Sequence, residues 1–340
     1  MRFSRALLLI LPFVVAVLLL SSAPASWAQK AKPPQPPPPP PDPAIAYTAW
    51  NRSNLWVNLY VMNADGTNQS MILSGAEGIG HHSPSWSPDG WRLAFTSNIQ
   101  GNGVYIVNRD GSGLCKVVAM NSYPSDTGVR ASWSPLGDKI VYSDRNPENG
   151  YADLFLVDAA CNAGAPILLT STPDVKEYFP TWSPDATHIA VQAMNTETSQ
   201  TSIVVFDLAY DPLLGIVITG STNVTEAGPL SAAFVRDPSW AKTSDKIAVP
   251  AWFGGLGFYD IWVIELADPT YPINLTNTPP SRKASITNSY WPTWSPDDAR
   301  LAFYRGGKDP GIYVMNADGS GATKLASLQN GGETDWRRNP

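Results

Sequence analysis

The stretch from Pro84 to Asn98 reads PSWSPDGWRLAFTSN. Close variants follow as ASWSPLGDKIVYSD from Ala131, PTWSPDATHIAVQA from Pro180, PSWAKTSDKIAVPA from Pro238 and PTWSPDDARLAFYR from Pro292. The shared tryptophan falls at Trp86, Trp133, Trp182, Trp240 and Trp294. A period of about 50 residues points to propeller blades, solenoids or arrays. The interior of the unit decides among them. A short strand ends at the tryptophan, a Ser-Pro-Asp-Gly turn reverses it, and an alternating strand such as Leu93-Ala94-Phe95 follows. After a variable loop come a third strand, GVYIVN from Gly103, an Arg-Asp-Gly turn and a fourth strand, LCKVVAM. Four antiparallel strands per unit make a propeller blade.

The turns carry their own chemistry. Proline presets φ for the second position, aspartate closes the turn with its side chain, and glycine takes the positive φ that strains other residues. The second turn repeats as Asn63-Ala64-Asp65-Gly66, Asn108-Arg109-Asp110-Gly111 and Asn316-Ala317-Asp318-Gly319. Blade five departs from the rule, with Ala241-Lys242-Thr243-Ser244 in place of the first turn.

Counting the pieces predicts how the ring closes. The segment from Ala44 to Ser74 supplies strands two to four of a unit and lacks the first. The missing strand stands at the other end, as ETDWRRNP from Glu333 to Pro340. The expected fold is therefore all-β: a six-bladed β-propeller of four-stranded antiparallel blades, closed by the C-terminal strand joining the first blade. Closure removes free sheet edges that would template aggregation. The tryptophans are expected to pack between neighbouring sheets, each burying about 150–250 Å², or about 4–6 kcal/mol of transfer free energy.

Before the propeller, Arg2 and Arg5 precede the apolar run Ala6 to Leu20, and Ser26-Trp27-Ala28 offers a cleavage site. Residues 1–28 read as a signal peptide, with an uncleaved anchor as the alternative. Residues 29–43 read as a proline-rich linker, PPQPPPPPPDP from Pro33, extended as polyproline II, and residues 44–340 as the propeller. The expected location is periplasmic or secreted, with no membrane span after cleavage. Removing Arg2 and Arg5 leaves 21 basic residues against 29 acidic, a net charge of −8 where the whole chain has −6. That balance argues against nucleic acid and anionic membrane surfaces as partners. In an oxidising compartment Cys115 and Cys161, in neighbouring repeats, can pair or remain as two thiols.

The phrase Pro-x-Trp-Ser-Pro-Asp-Gly followed by Ile-Tyr-Val-Met-Asn-Ala-Asp-Gly resembles the PD40, or WD40-like, propeller repeats of the TolB-like family. The resemblance spans roughly Ala44 to Trp336 and covers the propeller part only, without the α/β domain that precedes it in TolB. It implies a non-enzymatic binding module for an envelope or extracellular protein or peptide. Similar repeats occur in prolyl oligopeptidase-like peptidases and oligogalacturonate lyases. Neither activity carries over, because the chain has no Gly-x-Ser-x-Gly elbow and only three histidines, His81, His82 and His188.

Variable loops on one side of a regular scaffold are where binding concentrates. The residue three before each blade tryptophan is expected to enter the central channel there: Ser83, Arg130, Phe179, Asp237, Trp291 and Glu333. With His82, Tyr178, Arg236 and Tyr290 these form a mixed polar and aromatic mouth, the expected contact surface for a protein or peptide. The alternative is a glycan in the channel, with Asp237 and Glu333 as acid pair and Trp291 as stacking platform. No catalytic residue, metal ligand or cofactor is assigned, although Asp237 and Glu333 could hold a channel cation. The propeller is expected to be a monomer.

Overall fold

The computed structural model describes residues 44–51, 56–124, 128–213, 215–254, 257–278, 287–328 and 331–338. The expected signal peptide and proline-rich linker lie outside them. Six antiparallel sheets follow one another along the chain. Blade two shows the plan: His81–Trp86, Arg92–Ser97, Gly103–Asn108 and Cys115–Ala119, each paired to the next. In blade five the innermost strand is split into Phe234–Val235 and Ser239–Trp240, both paired to Lys246–Trp252.

Blade one is closed as the sequence predicts. Thr334–Trp336 pairs with Ile45–Asn51 in the register Ile45↔Trp336, Ala46↔Asp335 and Tyr47↔Thr334. Two further backbone bonds extend it, Thr48 N–H to Glu333 O at 3.0 Å and Arg337 N–H to Ala44 O at 2.8 Å. The same strand also ties its neighbours. Asp335 Oδ2 accepts the Trp86 N–H at 2.7 Å, and Trp336 N–H donates to Thr293 Oγ1 at 2.9 Å.

All six blade tryptophans, Trp336 included, are buried. The Trp182 and Trp294 indoles donate to the backbone of the preceding blade, at Ser132 O (3.2 Å) and Ser239 O (3.1 Å). Arg92 lies over Trp133 at 4.8 Å and Arg300 over Trp336 at 5.0 Å, so the second strand of one blade covers the tryptophan of the next.

The turns work as read. Ser87 Oγ donates to Asp89 Oδ1 at 2.5 Å, and Asp89 also accepts the Trp91 N–H at 3.0 Å. In the second turn Gly66, Gly111 and Gly319 share a φ of 85°. A Cβ at Gly111 would stand 2.7 Å from Ile72 O of the preceding blade, so both conformation and space demand glycine. Blade four departs from this plan. Its outer strands Thr201–Asp211 and Gly215–Asn223 form a ribbon far longer than a tight hairpin needs.

Cys115 and Cys161 form a disulfide with a Cα–Cα distance of 5.6 Å. It joins the outer strand of blade two to the second turn of blade three, and closing so long a loop stabilises the fold by about 4 kcal/mol.

Candidate functional site

Each first strand descends from the long-loop face to its tryptophan, so the residues ahead of the tryptophan form the upper rim of the channel. In four blades the residue three before the tryptophan is left-handed: Ser83 (φ 53°), Phe179 (53°), Asp237 (44°) and Trp291 (51°). Proline follows in all four, and a residue before proline is driven out of the right-handed helical region. Register shifts coincide with the bend between His82 and Ser85, Tyr178 and Thr181, and Tyr290 and Thr293. A bulge of this kind re-aims a side chain, at about 1–2 kcal/mol for each left-handed residue. Arg130 and Glu333 lack the proline, and there the left-handed residues are Gly128 and Gly331, two positions earlier. The four-fold x-Pro pattern was the sequence signal for this rim geometry, and loop variability alone did not reveal it.

Electrostatics and aromatic packing meet at Asp237. Its side chain is 0% exposed, Oδ2 accepts from Arg236 Nε at 2.8 Å, and Oδ1 meets no donor among the described residues. Burial pushes the Asp237 carboxyl up, Arg236 and Arg130 pull it back, and Glu333 adds to the rise. The Arg236 guanidinium lies 5.3 Å from the Phe179 ring and 5.7 Å from the Tyr290 ring. From Tyr290 the rings continue to Tyr259 at 5.0 Å and to Trp291 at 5.6 Å, and Trp291 meets Tyr304 at 5.8 Å. Burial pushes the Tyr290 phenol up to about 12, with Tyr259 adding, so it remains a neutral hydrogen-bonding group.

Glu333, from the strand that closes blade one, lines the same mouth. Its carboxylate accepts the Ser83 N–H and, at 3.3 Å, the Ser83 hydroxyl, with His82 Nδ1 at 3.9 Å. Arg130 donates to Thr334 O at 3.4 Å. Tyr178 packs against Gly128, where an added Cβ would fall 2.3 Å from its ring. Of the expected residues, His82, Phe179, Arg236, Trp291 and Glu333 line one cavity at the mouth, and Arg130 lines the narrower channel space. Asp237 and Phe179 are buried, Asp237 paired with Arg236 and Phe179 under the Arg236 guanidinium, with Phe179 still lining the cavity of the mouth. Both acids expected to hold a channel cation have protein partners. Among the described residues no group of three or more His, Cys, Asp or Glu side chains is arranged to hold a metal ion.

The adjacent histidines diverge as strand alternation requires. His81 is buried, bonded to Ser97 Oγ at 3.0 Å and to Ser74 O at 3.3 Å, and burial lowers its pKa. His188 is half-buried, 3.3 Å from Asp207 and stacked on Trp240 at 6.0 Å.

Two adjoining cavities open from this rim. One, of about 180 Å³, is lined by Phe179, Arg236, Trp291, Glu333, His82 and Trp50 among others. The second, of about 200 Å³, shares Trp50, Val57, His82 and Pro124 with the first and continues to Trp56, Ile79 and Tyr123. Together they make a cleft from the channel mouth across the inner end of blade two. Trp50 is 45% exposed and Tyr123 63% exposed along it. Neither residue belonged to the expected contact set, because neither lies on a first strand ahead of a blade tryptophan: Trp50 is in Ile45–Asn51 and Tyr123 in the loop after blade two. Below the rim the channel narrows to a space of about 50 Å³ lined by the Pro-x-Trp strands, Lys242, Asp335 and Arg338.

The family model for the TolB beta propeller domain, PD40, matches residues 37–243. The chain belongs to that family. Among solved structures, an Agrobacterium tumefaciens protein assigned as TolB aligns with a TM-score of 0.60 at 19% identity, over 85% of this chain and 90% of its own. Kuenenia stuttgartiensis hydrazine synthase also aligns at 0.60, with 12% identity, over 88% of this chain and 48% of that one. At these identities the likeness is one of fold. No curated protein matches the sequence.

Proposed function

We propose that this TolB-like propeller is a non-enzymatic docking module of the periplasm or the extracellular space, binding an extended segment of an envelope or extracellular protein at the long-loop face. The observation that carries this reading is the continuous cleft from the channel mouth to Tyr123. It is lined by the exposed or half-exposed rings of Trp50, Trp56, Tyr123 and Trp291 and rimmed by Arg236, His82 and Glu333. Large, stiff rings beside a few charged groups suit peptide recognition, since aromatic and arginine side chains carry most interface energy. Secretion rests on the Arg2, Arg5 and Ala6–Leu20 pattern at the N-terminus.

The test is affinity capture from an envelope extract of the source cells. Native protein is compared with a Trp50→Ala, Tyr123→Ala variant of unchanged melting temperature. A protein retained by the native chain and lost from the variant supports the reading. Equal retention moves the site off this cleft, and an empty eluate beside a positive glycan array replaces the protein partner with a carbohydrate.

A further inference from the structure

A third cavity, of about 310 Å³, opens beside blade four and shares no lining residue with the mouth or the channel. That volume lies within the range of small-ligand pockets, about 300–1,000 Å³. Its wall carries Asn195, Gln200, Ser202, Asn223 and Glu226.

The sister blades show what stands at the same place there. Leu154, Ile203 and Ile261 each donate their N–H to a threonine hydroxyl, at Thr170 (2.9 Å), Thr225 (3.0 Å) and Thr276 (2.9 Å). The residues just before them, Asp153, Ser202 and Asp260, are therefore equivalent in blades three, four and five. In blade three the buried Asp153 accepts from Asn146 Nδ2 at 2.7 Å, and in blade five the buried Asp260 accepts from Asn274 Nδ2 at 3.0 Å. Blade four keeps both asparagines and lacks the acid. Asn195 repeats Asn146 and closes the same turn: its Oδ1 accepts the Glu197 N–H at 3.0 Å, as Asn146 Oδ1 accepts that of Glu148 at 3.0 Å. Asn223 repeats Asn274, one residue removed from the threonine, and its Oδ1 accepts the Thr225 N–H and hydroxyl, both at 3.0 Å. With their oxygens engaged, the two amides have only their NH2 donors left, and neither meets an acceptor among the described residues.

We infer that this cavity binds a free amino acid. Its carboxylate accepts from Asn195, Asn223 and the Ser202 hydroxyl, where blades three and five supply their own aspartates, and hydrogen bonds to a charged group are the strong ones. Glu226 lines the same cavity, is exposed and has no hydrogen-bond or ion-pair partner among the described residues. It repels a plain anion and attracts an ammonium, so a ligand that carries both groups suits the whole wall. Gln200 adds an acceptor, because its Nε2 is bound to Ser231 O at 3.0 Å and its Oε1 is left. None of these residues lines the mouth, so the inference does not depend on the docking role of the long-loop face.

Isothermal titration calorimetry on the full chain tests it, with each free L-amino acid run beside the amine that lacks its carboxylate. The expected result is binding of at least one amino acid with a Kd on the order of 1 mM or tighter, and binding at least about tenfold weaker for its amine. Ser202→Asp restores the carboxylate of the sister blades and should weaken binding by about tenfold or more. Glu226→Gln, at an exposed position where the fold is not at risk, should weaken it by about tenfold through the ammonium. Failure of every amino acid to bind overturns the proposal. So does an amino acid bound equally by the native chain, Ser202→Asp and Glu226→Gln, or one bound no better than its amine.

Discussion

The two ends of the central channel are built from the same repeat and do opposite things. At the floor, the irregular turn of blade five is completed by other blades. Asp298 accepts the Lys242 N–H at 2.6 Å, the Thr243 hydroxyl at 2.7 Å and the Ser244 hydroxyl at 2.8 Å. Lys242 Nζ reaches Asp335 at 3.2 Å and Arg338 donates to Lys242 O at 3.3 Å, so the defect becomes a clasp for the C-terminal strand. At the mouth the first strands bend outward, rings replace hydrogen-bonded turns, and Asp237 Oδ1 is left without a donor. Left-handed residues occur at both ends, Asp298 (φ 56°) and Ala186 (φ 61°) in the first turns and Asp237 and Trp291 at the rim, so what sets the floor apart is the polar clasp that closes the ring.

The largest effects should come from the floor. Removing Thr334 to Pro340 deletes the strand that joins blades six, one and two, and should abolish the cooperative melting transition followed by circular dichroism. Asp335→Ala leaves the Lys242 ammonium and the Trp86 N–H without their acceptor and should lower stability by about 3–5 kcal/mol in urea titration. The Lys242→Met, Asp335→Asn pair should fall less than the sum of its single variants, because the lone charge is gone.

Next in size is a pH effect on the long-loop side of blade four. Burial pushes the Glu177 carboxyl up to about 7, against hydrogen bonds from Thr170 and Thr172 and with Asp153 adding to the rise. Between pH 4.5 and 7 the folded state therefore holds a proton that the unfolded chain has released. Stability should fall by roughly 3 kcal/mol as pH rises through that window, with the loss complete above it. Glu177→Gln should flatten the slope measured by thermal melts across pH. Smallest is Ala186→Gly at a first turn where Ala186 sits at φ 61° in the place of glycine; it should raise stability by about 1 kcal/mol.

The fold was legible because its rules are local. Tryptophan spacing, the Ser-Pro-Asp-Gly turn and the stranded C-terminal Trp336 together specified six blades and their closure. The mouth was legible in part: position three before each tryptophan located the rim, yet Asp237 and Phe179 proved buried. Phe179 is covered by Arg236 of the next blade, a long-range contact that no spacing encodes, and Asp237 is buried beside the same arginine. Trp50 was missed because it stands at the end of a second strand, away from the first strands that were read for the rim, and Tyr123 because it lies in a loop with no repeat to align it. The blade-four ribbon was missed because it replaces the Asn-x-Asp-Gly turn with Tyr210-Asp211-Pro212-Leu213, which reads as a loop.

Site-specific photocrosslinking in the source cells tests the division of the molecule most directly, with a benzophenone side chain at position 123 on the long-loop face or at the exposed position 110 on the short-turn face. The account predicts a discrete adduct with another protein from position 123 and none from position 110. An adduct from position 110 alone would place the working face at the opposite end of the channel and contradict it.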